Sequence, residues 1–165
     1  MTKPRRNLHF EAQTQPIMKI DHPCYECGAT LSMRTHTKRT RVGRYKVDDA
    51  SQMIPVCSNG HPELDVEQLA AYERRAAALV LSEVETVGGD EIRFARKALG
   101  LTQARLGALL EVAQETVSRW ETGAENMSRV SRLALLAIVR DPGALDRLAK
   151  NEPARATEVL HVHAA

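Results

Sequence analysis

The chain has 165 residues, 43 % of them apolar, which is enough for one medium domain or two small ones with real cores; with aromatics at only 4 %, those cores must be aliphatic. Formal net charge is +2, but residues 1–61 hold ten Lys/Arg against five Asp/Glu, residues 62–89 two against six and residues 90–150 ten against eight, a segregation suited to nucleic-acid contact. No apolar window is long enough to span a membrane and no signal-peptide pattern opens the chain, so a soluble, cytoplasmic protein is expected, and three cysteines point to metal rather than disulfides.

Residues 1–21 read as a polar, flexible arm with Lys3, Arg5 and Arg6, in which only Ile17–Ile20 has the character of a strand. Cys24-Tyr25-Glu26-Cys27-Gly28 follows. A Cys-x-x-Cys-Gly turn sets two thiolates on one side of a knuckle, with the glycine letting the backbone curl around the sulfurs, as tetrahedral zinc requires. A redox motif would instead start a helix at the first cysteine. Residues 29–56 carry β-prone positions, among them Leu31, Met33, Val42, Tyr45, Val47, Met53, Ile54 and Val56. They predict a small antiparallel ribbon over residues 22–64, with metal replacing a core too small to fold alone. Cys57-Ser58-Asn59-Gly60-His61 supplies the second half of the site. Cys57 and His61 have a spacing that zinc accepts, giving a structural Cys₃His site of Cys24, Cys27, Cys57 and His61 with one Zn²⁺ per chain; His22 and His36 are rivals for the fourth position.

Asp65 caps an amphipathic helix with Leu69, Tyr72, Ala76, Leu79, Val80 and Val84 on one face, and Gly88-Gly89 closes this connecting segment, residues 65–89, as a hinge. From residue 90 the pattern is helical throughout. Ile92, Phe94, Ala95 and Leu99 recur at helical spacing until Gly100 stops the run; Thr102 caps the next helix, with Leu106, Leu109 and Leu110. A turn at Glu111-Val112-Ala113 leads to a third helix, from Gln114 to Thr122, ended by Gly123. Two short helices joined in this way form a helix-turn-helix. Val117 and Trp120 face inward, so Gln114, Glu115, Thr116, Ser118 and Arg119 are candidate contacts to a major groove and Gln103 to phosphate. Arg119 and Glu121 have a plainer reading as charges on a solvated helix. Helices at residues 128–139 and 144–150 complete a five-helix domain over 90–150, and residues 151–165 are a tail whose His161 and His163 need no role. The fold class is therefore α+β, with a small β-ribbon zinc domain followed by an all-α domain.

The run Ile92-x-x-Ala95-Arg96-x-x-Leu99-Gly100-Leu101-Thr102-Gln103-x-x-Leu106-Gly107, with Val117-Ser118-Arg119-Trp120-Glu121-x-Gly123, resembles the Xre and Cro/cI type of helix-turn-helix. Glu111 departs from it, standing where that type usually has a glycine in the left-handed conformation. Taken with the cysteine knuckles ahead of it, the order of modules resembles the MqsA family of antitoxins, also called YgiT-type zinc finger proteins. That resemblance implies a type II toxin–antitoxin antitoxin and autorepressor. Its zinc domain would bind a cognate toxin, an mRNA-cleaving ribonuclease, and its C-terminal domain would dimerise on a palindromic operator in double-stranded DNA. Gly60 stands at the family's fourth cysteine position, and Glu115 where its recognition helix often has Asn, so the ligand set and the operator are expected to differ. A stand-alone zinc-containing regulator is the alternative. An enzyme is not expected, because four protein ligands close a zinc site and no nucleophile–base pair is evident.

Overall fold

A computed structural model describes residues 20–141 and 143, and the backbone of strand β1 (Asn7–Phe10). After β1 come β2 (Leu31–Thr35), β3 (Lys38–Val42), β4 (Tyr45–Asp49) and β5 (Met53–Cys57). They are followed by α1 (Val66–Glu83), α2 (Gly89–Ala98), α3 (Gln103–Leu109), α4 (Gln114–Thr122) and α5 (Arg129–Arg140). The β-ribbon and the helical part have the predicted character. The predicted helix at 144–150, the residues 17–19 of the predicted strand, and the tail with His161 and His163 lie outside the described residues.

The strands form two small sheets. β2 pairs antiparallel with β5, while β3 and β4 make a hairpin whose other edge is β1, parallel to β4 from Asn7↔Lys46 to Phe10↔Asp49. Part of the segment expected to be a flexible arm is thus a strand; the pairing joins residues far apart in sequence, which local propensity cannot reveal.

The helix starts and stops follow from their caps. Asp65 accepts from the Gln68 N–H at 2.7 Å while the Gln68 side chain accepts from the Asp65 N–H at 3.0 Å, a reciprocal capping box that satisfies two end groups of α1. Thr102 caps α3 by accepting from Arg105 N–H, and Ser128 caps α5 by accepting from Ser131 N–H. Gly123 ends α4 at φ +77, where a residue with a Cβ is strained.

Helix α1 is more than a connector. Tyr72 packs with Ile54 and Val56 of β5. Ala76, Val80 and Val84 pack with Val42 and Val47 of the hairpin. Ala77, Ala78 and Leu81 join Ile92, Ala95, Leu106, Val117, Trp120, Leu135, Leu136 and Val139 in the helical core. Burying a Val or Leu side chain contributes roughly 1.5–3 kcal/mol, so α1 ties both sheets to the helices by several such side chains. An ion pair between half-buried Arg75 and buried Asp49 bridges the join. Arg75 Nε donates to Asp49 Oδ2 at 2.7 Å, and Asp49 Oδ1 accepts the Ser51 N–H at 2.8 Å.

The expected hinge is a packed junction. The Gly88 N–H donates to Glu91 Oε2 at 2.7 Å, and the same buried carboxylate accepts the Arg44 N–H from the β3–β4 turn at 3.1 Å. Gly89 lies so close to α4 that a Cβ there would collide with the Glu121 carbonyl and sit 2.8 Å from that of Trp120.

Candidate nucleic-acid interface and metal centre

Recognition helix α4 is held from below. Val117 and Trp120 are buried in the helical core, which leaves Gln114, Glu115 and Arg119 exposed and Thr116 and Ser118 half-buried. Arg119 Nη1 lies 3.7 Å from Glu125 Oε2 in solvent, a pair too loose to hold the guanidinium against a competing base or phosphate. Its N-cap, Ala113, offers no side-chain acceptor, so no side chain caps the first turn of α4.

Glu121 is not on a solvated face. It is 4 % exposed and receives Arg96 Nε at 2.6 Å, Arg96 Nη2 at 3.1 Å, Arg93 Nε at 3.4 Å and Gln103 Nε2 at 2.9 Å. Burial alone would raise its carboxyl, but the hydrogen bonds from Arg96 and then Gln103 outweigh that and hold it below the usual carboxylate range. Arg96 also donates to the Leu101 carbonyl at 2.7 Å, so one guanidinium clamps α2, the α2–α3 turn and α4. The amide of Gln103, expected at a phosphate, therefore has an internal partner that fixes the start of α3 against the end of α4. A charged residue one position beyond Trp120, with two arginines a turn apart in α2, was the sequence signal for this cluster.

Glu111 adopts φ +55 in the turn between α3 and α4, the only non-glycine residue with positive φ among the described residues. The turn keeps its shape, with the Val112 N–H donating to the Gly107 carbonyl at 2.9 Å, and the backbone of Glu111 carries the strain of a Cβ at positive φ.

The two cysteine turns meet at the far end of the ribbon. Gly28 at φ +70 and Gly60 at φ +86 close them, with the Gly28 N–H on the Cys24 carbonyl at 2.8 Å and the Gly60 N–H on the Cys57 carbonyl at 3.0 Å. Because β2 and β5 pair Leu31 with Cys57, the first knuckle lies beside the second. One ligand atom each from Cys24, Cys27, Cys57 and His61 falls within 4.8 Å of all the others. Cys27 Sγ and Cys57 Sγ are 3.7 Å apart and Cys24 Sγ is 3.9 Å from His61 Nδ1, close to the roughly 3.8 Å edge of a tetrahedron with zinc–sulfur bonds of about 2.3 Å. The set therefore fits a tetrahedral cation. Burial pushes the Cys24 thiol up, whereas hydrogen bonds from the Ala29 backbone and then from the Asn59 amide, at 3.3 Å from Cys27 Sγ, hold Cys27 down. The rivals stand aside. His22 stacks on Tyr25 and lies 3.8 Å from Glu63, and His36 accepts through its carbonyl from the Tyr72 hydroxyl.

No described helix is long and apolar enough to cross a membrane. No curated protein matches the chain. A helix-turn-helix family model matches residues 92–139, the stretch from α2 into α5, whose α2, α3 and α4 are held together by the Arg96–Glu121 cluster. Residues 92–139 are thus an Xre-type helix-turn-helix domain of a DNA-binding family, carried beside a Cys/His cluster compatible with a structural metal such as zinc.

Proposed function

We propose that the protein is a sequence-specific transcriptional repressor acting as a homodimer on a palindromic operator. The observation that carries this reading is the exposed row Gln114, Glu115 and Arg119 on a helix anchored by buried Val117 and Trp120. Arg119 would read guanine and Glu115 would accept from cytosine in the major groove, with Thr116, Ser118 and Gln114 beside them. Residues 90–150 supply this function and residues 22–64 hold zinc through Cys24, Cys27, Cys57 and His61, while residues 65–89 join the two. The zinc is structural: with four protein ligands it fixes the two knuckles and leaves no position for a reacting water. The reading requires no catalysis, in keeping with the usual role of this helix-turn-helix family.

The finer part of the proposal is that the repressor is an antitoxin controlling its own operon, with the zinc-bound ribbon binding a ribonuclease toxin. It is supported by the resemblance in module order. Binding to a duplex from the region upstream of the coding sequence, followed by fluorescence anisotropy, tests the repressor; wild type must prefer it to a scrambled duplex, and Arg119→Ala must abolish that preference. Co-expression with the product of the adjoining gene tests the antitoxin. A stoichiometric complex supports it, and its absence leaves a stand-alone regulator.

A further inference from the structure

The outer face of the β3–β4 hairpin is cationic and is fixed beside the helix-turn-helix. Pairing places Arg41 directly opposite Lys46 and Arg39 opposite Asp48, while the inner face gives Val42 and Val47 to the core. Arg39 is neutralised in place, its Nε and Nη2 reaching Asp48 Oδ1 and Oδ2 at 2.7 and 3.0 Å. Arg41 and Lys46 are exposed, and among the described residues neither meets a carboxylate; Arg41 Nε donates only to the Gly43 carbonyl. Like charges placed directly across a hairpin repel, so this pair weakens the hairpin at that position. A polyanion would reverse that balance.

The position of the face matters as much as its charge. Glu91 accepts both the Arg44 N–H from the hairpin turn and the Gly88 N–H at the start of α2, and Gly89 of the same helix end abuts the Trp120 and Glu121 carbonyls of α4. The turn is therefore anchored one helix end away from the recognition helix.

We propose that Arg41 and Lys46 form a second DNA-binding surface, which meets the sugar–phosphate backbone flanking the groove that α4 enters. It adds affinity and fixes orientation without base preference. It rests on the DNA-binding reading above, and its test separates the two. Lys46→Glu puts a carboxylate opposite Arg41, so it stabilises the hairpin while removing the attraction to phosphate. The expected result is an unchanged or higher melting temperature together with weaker binding to the upstream duplex and to a scrambled duplex by a similar factor. For Arg41→Ala/Lys46→Ala, the slope of log K against log salt becomes shallower by about two, near one for each phosphate that is no longer neutralised. Arg119→Ala, by contrast, loses sequence preference while the hairpin's share of the slope stays. Wild-type affinity and slope in the hairpin variants would overturn the hairpin's role and leave DNA binding standing; failure of the wild type to bind either duplex would overturn both.

Discussion

Arg96 Nε donates to Glu121 Oε1 at 2.6 Å, so α2, the helix that precedes the helix-turn-helix, grips the last turn of the recognition helix through a pair that is 12 % and 1 % exposed at its two side chains. Removing one partner of such a pair leaves a buried charge uncompensated. Glu121→Ala should cost about 3 kcal/mol, at the lower end for a buried pair because Arg96 keeps some solvent, as read by urea denaturation. The folded-state carboxyl lies below its ordinary value, so its contribution is complete above about pH 4.3, the unfolded value, and is lost as pH falls through the lower folded one. Wild type should therefore lose melting temperature below about pH 4.3 more steeply than Glu121→Gln, whose curve lacks this component.

Glu111→Gly should stabilise the protein. A left-handed conformation costs a side-chain-bearing residue about 1–2 kcal/mol, and the greater freedom of glycine in the unfolded chain offsets about 0.5–1 kcal/mol of the relief. A net gain of roughly 1 kcal/mol corresponds to a rise of about 2–4 °C in melting temperature, measurable by calorimetry. An unchanged or lower melting temperature would mean that the turn carries no such strain.

Gly89→Ala should destabilise by about 1–3 kcal/mol, because the added Cβ meets the backbone carbonyls of Trp120 and Glu121, which cannot swing aside as a flexible side chain can. The shift would also displace α4, so operator affinity should fall along with the melting temperature. A variant as stable as wild type would show that α2 and α4 separate freely at this point.

Cys57→Ser should remove most bound zinc, measured as metal per chain after dialysis, since Cys57 is a fully buried member of the cluster. Asn59→Ala tests the surroundings of the site. Its amide donates to Cys27 Sγ, and hydrogen bonds of this kind around a ligand are worth about 10–100-fold in metal affinity, so competition with a chelator should show a loss of about tenfold. Helical circular dichroism should survive in both variants, because the helical core contains none of the four ligands.

The helix-turn-helix was legible because its information is local. Apolar spacing, the caps at Thr102 and Gly123, and the buried pair Val117 and Trp120 lie within a few residues of each element they define. The knuckles were legible for the same reason, down to His61 as the fourth member of the cluster. What escaped depended on distant partners. Strand β1 exists through pairing with residues about forty positions away, and Glu121 looked like surface charge because its partners lie on other helices. Glycines 88 and 89 suggested looseness, whereas the absence of a side chain there permits close approach. The run Ala76-Ala77-Ala78 is a local signal of the same kind: small residues on adjacent faces of one helix mark a segment covered on more than one side.

Because Tyr72, Ala76 and Ala77 of α1 face three different cores, neither the β-ribbon nor the helical part can lose its structure without uncovering apolar surface of α1. Melting should therefore appear as one calorimetric transition, with van't Hoff and calorimetric enthalpies in agreement, although the sequence divides into two modules. Cutting the chain on either side of α1 would leave a fragment with an uncovered hydrophobic stripe. A fragment meant for isolated study has to carry that helix, and even then it exposes the face that the missing half would have covered.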